Sequence, residues 1–361
     1  MTGSMRRSKT HSSKRRGGAT IGDIAAAAGV SKMTVSRFLS APSTVRDETR
    51  ERIQQLIDEL HYVPNRSARA LSGTGQLRLG LLYNLPRSSY IVDFLMGAIE
   101  QAAVMDIQLV SRSVRVGVDA ADILRSIIAS GIDGLALTPP LCDATELLEI
   151  IAESDLPVLL VGTRHPEFAM SSISIDERAA ACDLTRHIID QGHRRIGFII
   201  GEPLLAASHI RLEGFRAAMA AAGLAIDPDL LVQGDFTYRS GLTAAERLLS
   251  LPQPPTAIFA SNDDMAAAAV MVAHRMALDV PRELSVCGFD DSWIATNIYP
   301  ELTTIRQPIH QMAINGVAVL GESVRASRNG QDMVKHQIVP YELVVRQSDG
   351  HPRADAATAS A

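Results

Sequence analysis

The chain reads as an all-α helix-turn-helix head with a hinge helix, followed by a two-lobed α/β body on parallel, doubly wound sheets. Three observations predict this. Short helical patterns fill the stretch up to residue 63. Two series then follow, from Leu77 and from near Arg195, in which apolar strands alternate with helical stretches, the signature of βαβ units. Charge divides at the same boundary. Residues 1–75 hold 13 Lys and Arg against 6 Asp and Glu, a net of +7, which leaves 22 basic and 34 acidic residues, a net of −12, in the remainder. A basic head on an acidic body implies a polyanion bound by the head alone.

In the head, Thr20 stands as an N-cap with Asp23 three residues later, a variant of the capping box. Ile21, Ile24, Ala25 and Ala28 make one apolar helical face, and Gly29 ends it. Ser31 caps a second helix, Lys32 to Leu39. Val30, Val35 and Leu39 point inward there, while Lys32, Met33, Thr34, Ser36 and Arg37 face out. Residues at the start of such a second helix can reach base edges in the major groove. No acid interrupts residues 31–46. A third helix is expected from Arg46 to His61, with Ile53, Leu56, Ile57 and Leu60 at helical spacing. Beyond Pro64, the basic segment Asn65-Arg66-Ser67-Ala68-Arg69-Ala70-Leu71 carries one large apolar side chain with no core to join. A side chain presented this way can wedge between base steps in the minor groove. Residues 72–76 read as a linker. Residues 1–19 are expected to be a disordered basic tail.

In the body, strands are expected at "LRLGLLY", "IQLVSRS", "GLALT" and "PVLLVG", with helices over Val92–Met105 and Ala120–Ser130. The second series has strands at "RIGFIIG", "DLLVQGD", "TAIFASND" and "LSVCGFDD", with helices over Arg211–Ala222, Ser240–Ser250 and Met265–Leu278. Open sheets of this kind bind ligands outside the carboxyl ends of their strands, so the natural site is the cleft between the halves. That rule selects Tyr83, Asn84, Thr138, Asn262, Asp263, Asp290 and Asp291. Asp290 can accept two sugar hydroxyls in charge-assisted bonds, and Arg211, at the start of its helix, can donate several. Phe236, Tyr238 and Trp293 offer faces to a pyranose ring. Asn262 or Asp263 also stands where it can cap the helix from Met265.

Other classes are excluded by what the chain lacks. Its 361 residues, 46% hydrophobic and 21% charged, are those of a folded chain of two or three domains, not of a fibre or coiled coil. Cys142, Cys182 and Cys287 fit a reducing cytoplasm and have no metal-ligand spacing, so no disulfide framework, metal or cofactor is expected. No apolar run reaches membrane-spanning length. The six basic residues among the first twenty have no apolar stretch beside them, unlike a secretory leader. No nucleotide-binding glycine loop, HExxH or GxSxG occurs, so no enzyme is expected. His193, between Gly192 and Arg194-Arg195, reads as structural.

The runs "TIGDIAAAAGVSKMTVSRFLS" and "VRDETRERIQQLIDELHYVPNRSARAL" resemble the DNA-binding head of the lac repressor (LacI/GalR) family. In the body, "GHRRIGFIIG", "RLEGFRAAM", "FASNDDMAAAAV", "VPRELSVCGFDD" and "PELTTIRQP" carry the resemblance to about Arg346. It implies a type I periplasmic-binding-protein-like body. Lys32 and Met33 would choose operator base pairs, with Thr34, Ser36 and Arg37 on backbone and bases and Thr20 and Ile21 at the start of the first helix. Asn65, Arg66, Ala68 and Leu71 would form a hinge helix, Leu71 its wedge, folding only when two chains sit on a pseudo-palindromic operator. Arg211, Asn262 and Asp290 would be the main polar effector contacts of the C-terminal lobe. Phe236 would face the ring, Asp176 would be an inter-lobe acid, and Gln307 would lie where the chain crosses back. Contacts from the N-terminal lobe would fall around Asn84–Tyr90.

The resemblance places the head at residues 20–63, the hinge and linker at 64–76 and the body at 77–346. The N-lobe is expected over about 77–190 and 306–337, the C-lobe over about 191–305 and 338–346, and a disordered tail over 347–361. The expected protein is a cytoplasmic homodimer on double-stranded operator DNA, away from membranes, acting as a repressor relieved by a saccharide or glycoside. A purine-type corepressor would reverse that logic. A sugar-binding transport protein would use the same body but no DNA-type head.

Overall fold

The structure, a computed structural model, describes residues 21–40, 44–59, 76–84, 89–115, 117–164 and 169–353. The expectations for residues 1–19, Thr20, Asn65, Arg66, Ala68, Leu71 and residues 354–361 lie outside the described residues. Two compact units result, residues 1–75 and 76–361.

In the first unit, α1 (Ile21–Ala28), α2 (Lys32–Ser40) and α3 (Asp47–Glu59) surround a small core. Ile24, Ala25, Ala28, Val35, Phe38, Val45 and Ile53 are buried there, with Val30, Leu56 and Ile57 at its edge. The helical spacing in the sequence anticipates most of this list. Phe38 and Val45 are the additions. Ser31 caps α2 as expected: its Oγ accepts from the Thr34 N–H at 3.1 Å.

The second unit holds two six-stranded sheets, and helices alternate with strands in chain order. The first sheet takes β1 (Leu77–Tyr83), β2 (Ile107–Ser113), β3 (Gly134–Leu137), β4 (Val158–Val161), β5 (Ser171–Ser174) and β11 (His336–Ile338) in the order β11-β5-β4-β3-β1-β2. Between its strands come α4 (Ser89–Val104), α5 (Ala120–Ala129) and α6 (Thr145–Ala152). The second sheet takes β6 (Ile196–Ile200), β7 (Leu231–Gln233), β8 (Ala257–Ala260), β9 (Ser285–Asp290), β10 (Thr303–Arg306) and β12 (Glu342–Val344) in the order β12-β10-β9-β8-β6-β7. Its helices are α7 (Glu177–Asp190), α8 (Ala206–Ala221), α9 (Tyr238–Leu249) and α10 (Asp263–Arg275); α11 (Ile309–Arg328) returns to pack on α4. Every strand pair is parallel except β10 with β12. Helices on both faces explain why β3, β4, β8 and β9 are buried along their whole length and read as continuous apolar runs. The strands that pattern reading did not find are short and polar, such as β5, Ser171-Ser-Ile-Ser174.

Three features differ from expectation. The first crossing between lobes falls after β5, near residue 175, not at 190. Helix α7 packs on α8, β10 and β12 and so belongs to the second lobe. Ala180, Ala181, Leu184 and Ile188 of α7 share a core with Phe215 of α8, and Gly214 lets the helices close: a Cβ there would meet the Arg178 carbonyl oxygen at 2.4 Å. Second, α8 begins at Ala206, so Arg211 projects from its second turn, not from its start. Third, residues 347–353 are ordered. The Val286 N–H donates to the Ser348 carbonyl at 2.8 Å, and His187 Nε2 lies 2.6 Å from Asp349 Oδ2. His193, buried, accepts from Thr256 Oγ1 at 2.8 Å and donates through Nε2 to the Gly350 carbonyl at 2.8 Å. Burial holds its pKa below the ordinary range, as a structural imidazole requires. No helix among the described residues is long and apolar enough to cross a membrane.

Candidate functional site

A cavity of about 500 Å³ opens between the two lobes, at the carboxyl ends of the strands. The first lobe lines it with Tyr90 and Ile91 at the start of α4, Pro139 after β3 and Gly162 after β4. The second lobe supplies Glu177, Leu205, Ala206, Ala207, Arg211, Asp235, Phe236, Thr237, Tyr238, Asn262, Asp264 and Asp290. Apart from Arg211, in the second turn of α8, these sit at or beside helix starts and strand ends, where open sheets gather their chemistry.

Arg211 organises the second-lobe wall. Its Nε donates to Glu177 Oε2 at 2.7 Å, Nη2 to Oε1 at 3.2 Å and Nη1 to the Ser261 carbonyl at 2.5 Å. The guanidinium lies 3.8 Å from the Phe289 ring centroid and 5.8 Å from that of Phe236, and Nη2 is 3.6 Å from Asp290 Oδ1. Burial opposes its charge, but Glu177 and Asp290 outweigh that cost and hold its pKa above the usual range. Asp290 ends β9 at φ 110° and accepts from Gln307 Nε2 at 2.7 Å. Burial pushes its carboxyl up to about 7, with Glu177 adding to the rise while Arg211 and the Gln307 amide oppose it.

Asn262 is held at both ends. Its Oδ1 caps α10 by accepting from the Met265 N–H at 3.0 Å, and its Nδ2 donates to the Phe236 carbonyl at 2.9 Å. Phe236, at φ 65°, lies across Gly201, where a Cβ would come within 2.1 Å of the ring. Only glycine at 201 permits that ring position. Burial also raises Asp264, partly offset by the Ser89 hydroxyl of the first lobe. Tyr90 is raised, first by burial and then by Glu177 of the opposite wall.

The cavity thus brings together six of the residues expected there: Tyr90, Arg211, Phe236, Tyr238, Asn262 and Asp290. Its lining does not include Tyr83, Asp263 or Asp291, nor the five that follow. Asn84 is half-buried beyond the end of β1. Thr138 is fully buried one residue short of Pro139, and its hydroxyl has no partner among the described residues. Asp176 caps α7, accepting from the Ala179 N–H at 2.9 Å, and the neighbouring Glu177 lines the cavity instead. Gln307 supports Asp290 from behind. Trp293 is 66% exposed, because the chain leaves β9 through two positive-φ residues, Asp290 and Asp291, and turns away. Glu177, Asp235 and Asp264 were missed. Their signal is weak in sequence, since each is an acid near a helix start, where capping is the ordinary use.

On the head, Lys32 and Arg37 are exposed and Met33 is 71% exposed at the start of α2, while Thr34 is half-buried. Ile21 opens α1 and Ser36 lies within α2.

Residues 20–65 match the family model described as bacterial regulatory proteins, lacI family, and residues 185–348 match a periplasmic binding protein-like domain. Over 332 residues the chain is 32% identical to the HTH-type transcriptional regulator DegA of Bacillus subtilis (strain 168), covering 91% of this chain and 97% of DegA. Among solved structures it is similar to the lac repressor dimer bound to operator and the anti-inducer ONPF, with a TM-score of 0.75 and 26% identity over 92% of this chain and 99% of that one. It is also similar to a transcriptional regulator CelR–cellobiose complex, with a TM-score of 0.69 and 29% identity over 91% and 99% of the two chains.

Proposed function

The chain belongs to the lacI family of bacterial regulatory proteins, transcriptional regulators that bind DNA, and on that premise we propose that its cleft takes a saccharide or glycoside whose binding sets the grip of the head on operator DNA. The observation that carries this is the convergence of Arg211, Asn262 and Asp290 with Phe236 at the strand ends of one lobe, facing Tyr90 across the cleft. Carboxylate, guanidinium and amide suit hydroxyl groups, and the ring suits a pyranose face.

In the mechanism, two chains place their α2 helices in successive major-groove half-sites. Lys32 and Met33 read bases, with Thr34, Ser36, Arg37, Thr20 and Ile21 beside them. Asn65, Arg66, Ala68 and Leu71 form the hinge in the minor groove between the half-sites. A hinge of seven or eight residues is too short to be a stable isolated helix, so it depends on the DNA and on the spacing of the bodies above it. Ligand changes the lobe arrangement only as far as it favours one arrangement over the other. The usual coupling of about 1–3 kcal/mol corresponds to about 5–150-fold in operator affinity. Head, hinge and body then take the divisions 20–63, 64–76 and 77–353. The chain acts in the cytoplasm as a binding protein without catalysis.

Fluorescence anisotropy of the full chain on pseudo-palindromic DNA, with and without a panel of sugars, glycosides and purines, tests this. A sugar or glycoside that stabilises the protein and weakens operator binding by fivefold or more, about 1 kcal/mol, is the expected result. Tightening by a purine would select the corepressor logic instead. No preference for any palindrome under any condition would refute the assignment.

A further inference from the structure

The hydrogen-bonding character of the cavity is lopsided. Its described wall holds four carboxylates, those of Glu177, Asp235, Asp264 and Asp290, and one cation, Arg211, a formal charge of −3. Three of that cation's five N–H donors are taken, two by Glu177 and one by the Ser261 carbonyl, and Phe289 covers its face. Asn262 gives one of its two amide hydrogens to Phe236 and its carbonyl to α10. Asp235 is committed to the start of α9 through the Thr237 N–H at 2.9 Å. Asp264, which also takes the Ser89 hydroxyl, and Asp290, which also takes the Gln307 amide, keep further acceptor positions toward the cavity, and no described cation other than Arg211 lines it. The same wall presents the rings of Tyr90, Phe236 and Tyr238.

An acceptor-rich, donor-poor cavity walled by aromatic faces is complementary to a cation. An ammonium brings three N–H donors and no acceptor. It relieves the mutual repulsion of neighbouring carboxylates. It is also attracted to ring faces. A phosphate or carboxylate ligand would meet the opposite on every count. Resting on the saccharide reading, we infer that the ligand carries a free ammonium group beside its hydroxyls, as an unacetylated amino sugar does, with Asp264 and Asp290 as its counter-ions.

The test is calorimetric titration of the full chain near neutral pH with glucosamine, galactosamine and the de-N-acetylated glucosamine disaccharide. Each is compared with its N-acetylated form and with its 2-hydroxy parent. N-acetylation removes the charge while keeping the ring. One amine is expected to bind at least about tenfold more tightly than both neutral counterparts. That preference is expected to shrink to about threefold or less in Asp264→Asn and to fall in Tyr238→Leu, both checked for folding by circular dichroism. A neutral counterpart binding as well as its amine would overturn the ammonium inference and leave the saccharide reading standing. Binding by no sugar of any kind would overturn both.

Discussion

The two walls of the cleft differ in kind. The second lobe presents an interlocked charged network in which Arg211, Glu177, Asp290 and Gln307 fix one another, with Asn262 held beside it by Phe236 and α10. Among the described residues, the first lobe presents Ile91, Pro139, Gly162 and the hydroxyl of Tyr90, and its Ser89 hydroxyl reaches Asp264 of the other wall. One wall is preorganised to orient a ligand. On the proposed function the other contributes apolar area, and a ligand seated on the second wall gains from an approach of the lobes only through what the first wall adds.

The strongest way to break this comparison is Arg211→Ala. It leaves Glu177 and Asp290 buried together without their cation. Removing one partner of a buried ion pair costs about 3–5 kcal/mol. Urea denaturation should show that loss in the body, and calorimetry should show no ligand binding. A variant that kept both its stability and its ligand would mean that the second wall is not the anchor.

Titration sharpens the same contrast with a smaller effect. Asp290 has its carboxyl at about 7 when folded and 3.8 ordinarily, so between those values the folded chain holds more protons than the unfolded one. Stability should fall as pH rises through that window and level off above it. Arg211, Glu177, Gln307, Asp264 and Asp263 all bear on this group, and Asp263, also raised by burial, contributes in the same direction. Thermal melts across the window should therefore show a shallower slope in Asp290→Asn, not a flat line. An unchanged slope would place the titration elsewhere. Among the described residues the first wall has no counterpart, because Tyr90 is pushed further from neutrality by its burial.

Strand alternation and the strand-end rule made part of the second wall legible in sequence: Asn262 and Asp290 are reached that way, while Arg211 and Phe236 stand out by side-chain type. The lobe boundary was not. Helix α7 follows a first-lobe strand in the chain, and only its packing on α8, with Gly214 as the close contact, shows that it belongs to the other side. Glu177 was hidden for the same reason, since its role depends on a residue 34 positions away. Trp293 misled because side-chain type suggested stacking, while the positive φ of Asp290 and Asp291 turns the backbone away from the cleft. The tail over 347–353 looked unstructured because its anchors, Ser348 and Asp349, are polar residues satisfied by distant strands, which no local period records.

Tyr90→Phe is the mildest test and the most discriminating one. It removes from the first wall one hydroxyl, the one beside Gly162, and leaves the ring in the cavity lining. Loss of a single hydrogen bond is worth about 0.5–1.5 kcal/mol, so ligand affinity should fall only about two- to tenfold. If the first wall is the part that reports occupancy, the ligand's effect on operator affinity should fall by a larger factor than the binding itself. Anisotropy on operator DNA at saturating ligand separates the two quantities. A loss of affinity beyond about a hundredfold, or 2.7 kcal/mol, would show both walls anchoring the ligand alike. An unchanged operator response at saturation would move the reporting contact from the Tyr90 hydroxyl to the apolar closure around it, where Ile91 and Pro139 are the residues to vary.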